Sequence, residues 1–349
     1  MNHRPIFAAD DAVVVGASTG GVAALQTFVS TLPPQFAAAV LVVMHIGNHD
    51  SILPSLLARS ARLPVRNARD GDVLEPGRIL VAPPDFHLLV ARDPDTGSGH
   101  TRVLLARTAR ENHARPAIDP LFRSAAAAFD SRTIGVILTG MLDDGTAGLQ
   151  AIKACGGKAI VQSPDEAQAP DMPESAIRNV EVDRVLPVAD IGAALERMLD
   201  ESLAAARGRP RVVPEWVRLE IRFAIEESDM ETLSRIGTPS TFTCPECHGT
   251  LWEMHGQVPT RFRCHTGHAF TERHLSQQQS VAVEESMWSA VRALAEKEKL
   301  LRQMAQSALA LGHAQTAADY LQQAAAAQRD GEVLRRLLTV EGSAAEPAP

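Results

Sequence analysis

The chain carries a serine in a glycine-rich turn of the kind that exposes a nucleophile. The stretch Val13–Gly21 reads VVVGASTGG, which places Ser18 in a Gly-x-Ser-x-Gly pattern between an apolar run and a helical pattern. Small residues let such a tight turn lift the hydroxyl clear of a sheet, and the N–H groups at the start of the next helix can stabilise an oxyanion. A phosphate-binding loop or a purely structural turn has a similar local form, although the Gly-x-Gly-x-x-Gly order is missing. Ser18 is therefore a candidate nucleophile, and the motif alone leaves these alternatives open.

Two other groups are placed to activate this serine. A serine hydroxyl is a poor nucleophile until a base removes its proton, and a carboxylate commonly orients that base. His45 directly follows the apolar run Val40–Met44, and the pair Asp143 and Asp144 comes shortly after the apolar run Ile134–Leu138. In open parallel sheets, chemistry collects at the carboxyl ends of the strands. A lone histidine at a strand end is more often structural, so the joint placement of the three residue types carries the prediction.

A second group of residues has the spacing of a metal site. Cys244 and Cys247 form one close pair, and Cys264 and His268 form another pair after sixteen intervening residues. Two thiolate-containing pairs are typical of a tetrahedral zinc site, and four protein ligands would make that zinc structural. Reduced cysteines with incidental histidines are the alternative. Three further histidines are rival ligands, namely His248, His255 and His265. We expect this segment to depend on the metal to fold.

The elements that must position Ser18, His45 and Asp144 alternate between buried strands and helices. Four runs are apolar throughout, which is typical of strands covered on both faces: Ala12–Gly16, Ala39–Met44, Ile134–Leu138 and Lys158–Gln162. Helical patterns lie between them. The sequence therefore predicts an α/β fold over residues 1–200, with a doubly wound, mostly parallel sheet. Two further runs, Ile79–Ala82 and His87–Ala91, are predicted to pair with each other.

The composition changes near residue 200. We predict a linker with a short helix over 201–240 (the helix at about 215–227), a Cys/His module over 241–275, a helical hairpin over 276–340 and a disordered tail over 341–349. Apolar residues with 4-3 spacing mark the hairpin, which turns at Gly312: Met287, Val291, Leu294, Leu301, Ala305 and Ala308. A hairpin packed on itself is favoured over a partner-binding helix, while self-association and contact with a helical bundle stay open.

Bulk composition excludes several classes of protein. The 349 residues have a formal net charge of −8 and only 4% aromatic residues, which disfavours a nucleic-acid-binding protein. We find neither an apolar run long enough for a membrane span nor a signal-peptide pattern, so we expect no membrane insertion. Four cysteines, three of them beside histidines, suit a reducing cytoplasm.

Six segments in the same order resemble the CheB-type protein-glutamate methylesterase domain. They are GASTGG, VVMHI, VAPPDFHLLV, ARPAIDPLFRSAA, GVILTGMLDDGTAG and MPESAI, and they are spread over nearly all of residues 12–195. The resemblance implies Ser18 as nucleophile, His45 as base and Asp144 as its carboxylate partner, with Asp143 as the less favoured carboxylate. It also implies that Met141 offers its backbone N–H to the oxyanion and that Thr19 lines the site. His113 and Arg115 are either substrate-facing or ordinary surface residues.

The resemblance further implies the reaction and the partner. The family hydrolyses glutamate γ-methyl esters on the helical cytoplasmic bundle of methyl-accepting chemoreceptors, often with glutamine deamidation, and needs no catalytic cofactor. Similar Cys/His modules follow some standalone methylesterase domains. Many members carry an N-terminal receiver domain; since the first predicted strand begins near residue 12, we expect none here. The alternative is a regulatory or adaptor protein that keeps the esterase fold for binding.

Overall fold

The computed structural model describes residues 8–47, 51–93, 100–205, 213–225 and 229–342. The chain divides into two compact units, Met1–Leu275 and Ser276–Pro349. Most of the basic segment of the predicted linker (206–212) and most of the predicted tail (343–349) lie outside the described residues.

The first unit contains the predicted parallel α/β fold. The strands up to residue 186 are β1 Ala12–Ala17, β2 Ala39–Met44, β3 Val65–Asn67, β4 Ile79–Val81, β5 His87–Arg92, β6 Thr101–Ala106, β7 Thr133–Ile137, β8 Lys158–Gln162 and β9 Arg184–Leu186. Seven of them form one parallel sheet in the order β3-β4-β2-β1-β7-β8-β9. The helices are α1 Gly21–Thr31, α2 Leu53–Ala58, α3 Ile118–Phe129, α4 Thr146–Ala154, α5 Asp171–Asn179 and α6 Val188–Ala205. The strand order reverses between β1 and β7, the position where open sheets of this kind bind ligands.

Both faces of this sheet are covered, as the apolar strands predict. Val13 and Val15 of β1 point into one apolar core with α1, α2 and α6. Ala12 and Val14 point into the other core, with α3, α4 and α5. A strand buried on both faces cannot slip in register without burying its polar neighbours, so the ends of β1, β2 and β7 are fixed relative to one another.

The predicted pairing of Ile79–Ala82 with His87–Ala91 is wrong. β4 lies inside the large sheet, parallel to β2 on one side and to β3 on the other. Both of its edges are therefore occupied, and it has no hydrogen-bonding edge left for β5. Instead β5 pairs antiparallel with β6 in a separate two-stranded ribbon, with His87 opposite Ala106.

The first unit continues beyond the sheet into an antiparallel module. The helices α7 Glu215–Ala224 and α8 Met230–Ile236 precede this module, whose strands are β10 Gly237–Thr243, β11 Thr250–Met254, β12 Arg261–Cys264 and β13 Ala269–Thr271. The four strands lie in the order β10-β11-β12-β13. The short helix expected within residues 201–240 is α7, which packs on α3 because the buried Val217 joins the same apolar core as Leu121 and Phe122. The predicted helix over 215–227 ends at Ala224, and residues 226–228 lie outside the described part of the chain.

Up to residue 342, where the described part of the chain ends, the second unit contains two helices, which confirms the predicted helical C-terminal region. They are the remainder of α9 Glu272–Ala310 and the whole of α10 Ala314–Gly342. Between them Gly312 has a φ of +81°, a conformation that glycine adopts without a steric penalty. Most of the predicted stripe on α9 is buried, including Leu301, Ala305 and Ala308. Within the described residues, no helix combines the length and the apolar character that crossing a membrane requires.

Candidate active site

Ser18 lies directly beyond the carboxyl end of β1, at the reversal of the strand order. Its backbone N–H donates to the carbonyl of Thr139 at 2.9 Å, and its own carbonyl accepts from the N–H of Gly21 at 2.8 Å. Gly20, with a φ of +76°, allows the chain to turn from the strand into α1. The hydroxyl-bearing residue is held by backbone bonds on both sides and is partly exposed.

The imidazole of His45 bridges Ser18 and Asp144. His45 follows β2, and its backbone N–H donates to the carbonyl of Ala17 at 3.2 Å. Its Nδ1 lies 3.1 Å from Ser18 Oγ, and its Nε2 lies 2.7 Å from Asp144 Oδ2. Since a carboxylate accepts, Nε2 carries the proton and Nδ1 is left to accept one from the serine. The arrangement has the hydrogen-bond order of a serine nucleophile, its base and an orienting carboxylate.

Asp144 is fully buried in a shell of donors. Besides His45, Oδ2 accepts from the N–H of Ile118 at 2.7 Å. Oδ1 accepts from Asn112 Nδ2 at 2.9 Å and from the N–H of Gly145 at 3.0 Å. Burial alone would raise the pKa of Asp144, but the hydrogen bonds from His45, Ile118 and Asn112 hold it well below its usual range. The carboxylate therefore stays ionised while it orients the imidazole.

A second buried carboxyl, that of Asp119, lies beside Asp144. Its Oδ1 accepts from the backbone N–H of Gly148 at 2.6 Å and of Gly145 at 3.1 Å. Burial, followed by the negative charge of Asp144, raises the pKa of Asp119 to about 7. Two adjacent buried carboxyls resist ionising together, and the one bonded to His45 keeps the charge.

Asp143 points away from the imidazole. Its Oδ1 accepts from Thr271 Oγ1 at 2.7 Å and lies 2.8 Å from His274 Nδ1. Thr271 is the last residue of β13, and His274 lies in the first turn of α9. The two neighbouring carboxylates thus face different parts of the first unit, and His45 contacts Asp144.

The other predicted site residues fall into two groups. Thr19 and Met141 both have exposed side chains; the carbonyl of Thr19 accepts from Thr139 Oγ1 at 3.0 Å, which draws the Ser18 turn and the loop after β7 together. Met141 follows Gly140, whose N–H is bound by the carbonyl of Ala169 at 2.9 Å. His113 and Arg115 have protein partners instead: His113 Nδ1 lies 3.0 Å from Glu246 Oε1, and Arg115 binds Asp85.

The four predicted metal-binding residues converge in the module. One donor atom from each of Cys244, Cys247, Cys264 and His268 lies within 4.8 Å of the others. Cys264 Sγ is 3.6 Å from both Cys247 Sγ and His268 Nδ1, close to the ~3.8 Å that tetrahedral Zn–S bonds give between ligand atoms. A hydrogen bond from Cys244, with others from His268 and Cys247, lowers the pKa of Cys264 to about 3. The rivals His248, His255 and His265 do not belong to this group.

Sequence reasoning missed the polar residues that surround these sites. Asn112 binds Asp144, and Glu246 Oε2 lies 3.4 Å from His268 Nε2, where a carboxylate commonly orients a metal-binding imidazole. Five buried charged residues also join the sheet domain to the module: Glu111, Arg123, Glu220, Arg261 and Arg263. The available signal was the presence of charged residues in mostly apolar stretches, such as Arg123 in IDPLFRSAAAAF.

Comparisons with known proteins match the sheet domain. A family model described as CheB methylesterase matches residues 13–195. A putative protein-glutamate methylesterase/protein-glutamine glutaminase of Leptospira interrogans is 36% identical over 194 residues, covering 55% of this chain and 97% of that protein. A protein-glutamate methylesterase/protein-glutamine glutaminase of Anaeromyxobacter dehalogenans is 41% identical over 189 residues, covering 54% of this chain and 53% of the relative. The crystal structure of the Thermotoga maritima CheB methylesterase catalytic domain aligns with a TM-score of 0.51 and 34% identity, covering 55% of this chain and 98% of that one.

Proposed function

The chain belongs to the CheB methylesterase family, and we propose that it hydrolyses glutamate γ-methyl esters on chemoreceptors with Ser18, His45 and Asp144 as its catalytic triad. The observation that carries this proposal is the unbroken row of hydrogen bonds from Ser18 Oγ through His45 to Asp144. A binding-only adaptor would have no chemical need for that row. Relatives of this chain carry the name protein-glutamate methylesterase/protein-glutamine glutaminase, which supports the ester and the matching amide as substrates.

The geometry supports a two-step acyl transfer. Ser18 Oγ attacks the ester carbonyl while His45 Nδ1 takes its proton, and the carbonyl oxygen becomes an oxyanion. The intermediate collapses with cleavage of the C–O bond to the methoxy group, and His45 returns the proton to release methanol. Water, deprotonated by His45, then attacks the acyl-enzyme and frees the glutamate carboxylate and Ser18. With a glutamine side chain the leaving group is ammonia.

Two neighbouring residues complete the proposed site. The backbone N–H of Met141 would donate to the oxyanion, and Thr19 would line the pocket beside the ester. Both lie in the two loops that the Thr139–Thr19 hydrogen bond holds together. The exposed side chains of Thr19 and Met141 mark a surface open to a large protein substrate. We infer that this substrate is the helical cytoplasmic bundle of a receptor, which places the enzyme in the cytoplasm.

The decisive experiment measures methanol release from methylated receptor. We expect the Ser18→Ala variant to lose turnover by about 10⁴- to 10⁶-fold, because removal of the nucleophile leaves only the rest of the site. Ser30→Ala is the matched control, since Ser30 is an exposed serine of α1 that bonds only its own helix. Full turnover by a folded Ser18→Ala protein would remove Ser18 from the mechanism.

We also propose that Cys244, Cys247, Cys264 and His268 bind one structural zinc ion. The convergence of three sulfur atoms and one imidazole nitrogen supports this ligand set. Elemental analysis should find one zinc per chain, lost in Cys247→Ser and kept in Cys155→Ser, whose cysteine lies outside the cluster. Equal zinc content in the two variants would disprove the site. Self-association through α9 and α10 stays a prediction.

A further inference from the structure

A tight turn at Asn112 and His113 lies between the triad and the Cys/His module. Glu111 and Ala114 bond each other in both directions, with N···O distances of 3.3 and 2.9 Å. Asn112 has a φ of +51° and His113 a φ of +60°, the signs that a type I′ turn requires at its two central positions. Asparagine tolerates this left-handed conformation better than most residues. The turn therefore holds the Asn112 side chain in one direction.

Asn112 uses both ends of its buried amide. On the module side, its Oδ1 accepts from the N–H of Thr271 at 3.2 Å, and its backbone N–H donates to the carbonyl of Ala269 at 2.8 Å. On the triad side, its Nδ2 donates to Asp144 Oδ1 at 2.9 Å and lies 3.3 Å from Asp119 Oδ2. A single side chain thus connects strand β13 with the carboxylate that orients His45.

The residues that flank Asn112 bind the same module. His113 contacts Glu246, and Glu246 in turn lies beside the metal-binding candidate His268. Glu111 binds Arg263 of β12 at 3.0 Å, and Arg123 of α3 also binds it, at 2.6 Å. Three consecutive residues therefore each make a polar contact with the module, and the middle one also contacts the triad.

The module holds the triad loop at a second place. Thr271 and His274 bind Asp143, the residue next to Asp144. Arg273 binds Asp171 at 2.9 Å, and the same carboxylate oxygen accepts from the N–H of Leu142 at 3.2 Å. The loop from residue 142 to 144 is thus fixed from the module side, whereas Ser18 and His45 themselves follow strands of the sheet.

We propose that the Cys/His module is a positioning element of the esterase, and that Asn112 is the residue through which it holds Asp144. This inference rests on the proposed function of Asp144. It extends the expectation from the sequence that the zinc is structural: the metal takes no part in the reaction, but the module that it folds keeps the carboxylate in place. Without an ordered β13, Asn112 loses the partners that aim its amide at Asp144.

Two substitutions isolate the donor of Asn112. Asn112→Gly accepts the left-handed backbone and removes the side chain, while Asn112→Asp keeps the shape and the acceptor for Thr271 but loses the donor to Asp144. We expect each variant to lower kcat for methanol release about 10- to 100-fold, as for a lost hydrogen bond to a charged group, with KM changed less than about 3-fold. Full activity of Asn112→Asp would assign the role to the Thr271 contact and overturn the proposal.

Combining zinc removal with the Asn112→Gly substitution tests whether the module acts on Asp144 through Asn112. Removing zinc from the wild-type chain should lower kcat about 100- to 1000-fold, whereas the same treatment of Asn112→Gly should cost only about 10-fold, because its connection through Asn112 is already broken and only the module's contacts with Asp143 remain to be lost. Gln150→Ala is the matched control: it removes a contact with the module, to the carbonyl of Val258, that does not lead to Asp144. Its response to chelation should equal that of the wild type. Equal losses in the wild-type and Asn112→Gly proteins, or no loss in zinc-free wild type, would overturn the proposal.

Amide hydrogen exchange gives a readout that does not depend on activity. The N–H groups of Ile118 and Gly145 donate to Asp144, so a released carboxylate should speed their exchange in zinc-free wild type and in metal-loaded Asn112→Gly. If the wild-type protein shows this exchange pattern but has no esterase activity, the proposed function is wrong and the link from the module to Asp144 stands. If the wild-type protein is active but removal of the metal does not change exchange at these two amides, the link from the module to Asp144 is wrong and the proposed function stands.

Discussion

The parallel sheet and the Cys/His module differ in what holds their functional groups in place. In the sheet, Ser18 and His45 follow strands whose side chains are almost all apolar and buried, and hydrophobic burial fixes the strand ends. The module has a small apolar core of six buried residues, and its largest buried side chains are those of Arg261 and Arg263.

This difference explains how the module attaches to the sheet. Arg261 and Arg263 bind Glu220 of α7 at 2.8 and 3.1 Å, and Arg123 of α3 joins the same group. Buried charges are tolerable only when paired, so the contact between module and sheet is specific in geometry even where its net stabilisation is small. Buried apolar strands thus place Ser18 and His45, whereas polar contacts between residues far apart in sequence orient Asp144.

The largest expected effect separates the two neighbouring carboxylates. Asp144→Asn should lower kcat about 10⁴-fold, because an amide cannot hold the imidazole in the required tautomer. Asp143→Asn should lower it by about 10-fold, because it weakens the contacts with Thr271 and His274 without touching His45. Turnover of methylated receptor by the two variants measures both. The reverse ranking would transfer the orienting role to Asp143.

The next effect concerns the buried charges between sheet and module. Glu220→Gln should lower the free energy of unfolding by about 3–5 kcal/mol, because three buried arginines then share one carboxylate. Urea unfolding followed by tryptophan fluorescence measures the change, since Trp216 and Trp252 pack in the same apolar cluster. Glu215→Gln, which removes only an exposed ion pair with Arg235, is the control and should unfold like the wild type.

Acid should weaken the same contact. Burial alone would raise the pKa of Glu111, but Arg123, Arg263 and Arg261 hold it at about 2, below the ordinary value of 4.5. Since the folded pKa is the lower one, this stabilisation is fully present above about pH 4.5 and is lost as the pH falls towards 2, by about 3 kcal/mol in total. Unfolding free energies measured at pH 5, 4 and 3 should fall steadily. Unchanged values over that range would contradict the ion pairing.

The smallest effect concerns two glycines of the second unit, whose replacement by alanine should change its stability in opposite directions. Gly312→Ala should destabilise the helical pair by about 1 kcal/mol, because alanine is strained at a φ of +81°. Gly331→Ala, inside α10 with only an ordinary contact to Leu294, should stabilise it by about 0.5–1 kcal/mol. Thermal unfolding monitored by helical circular dichroism compares them. Shifts in the same direction would show that backbone conformation does not decide these effects.

The sequence predicted those features that depend on neighbours along the chain. Buried strands are recognisable from apolar runs, and the carboxyl-end rule then places Ser18, His45 and Asp144 at one edge. The pairing of β4 could not be predicted in this way, because the choice of partner depends on which edges other strands leave free.

Asn112 and the buried charges escaped prediction for a related reason. A glutamate such as Glu220 resembles any polar residue of a surface helix until its distant partners, Arg261 and Arg263, are known. Asn112 likewise resembles an ordinary turn residue, since no neighbouring sequence pattern indicates that it binds the Asp144 carboxylate. Contacts between residues far apart in sequence are not encoded in a local pattern.

The buried charge group also limits how this protein can change during evolution. Its members come from separate segments: Glu111 from a turn, Arg123 and Glu220 from two helices, and Arg261 and Arg263 from one strand. A gene rearrangement that replaced the module with an unrelated domain would leave Glu111, Arg123 and Glu220 buried without Arg261 and Arg263. The loss of these partners would lower the free energy of unfolding by several kcal/mol. In this chain the charges on the two sides of the contact are therefore coupled, and a charge lost on one side requires a compensating change on the other.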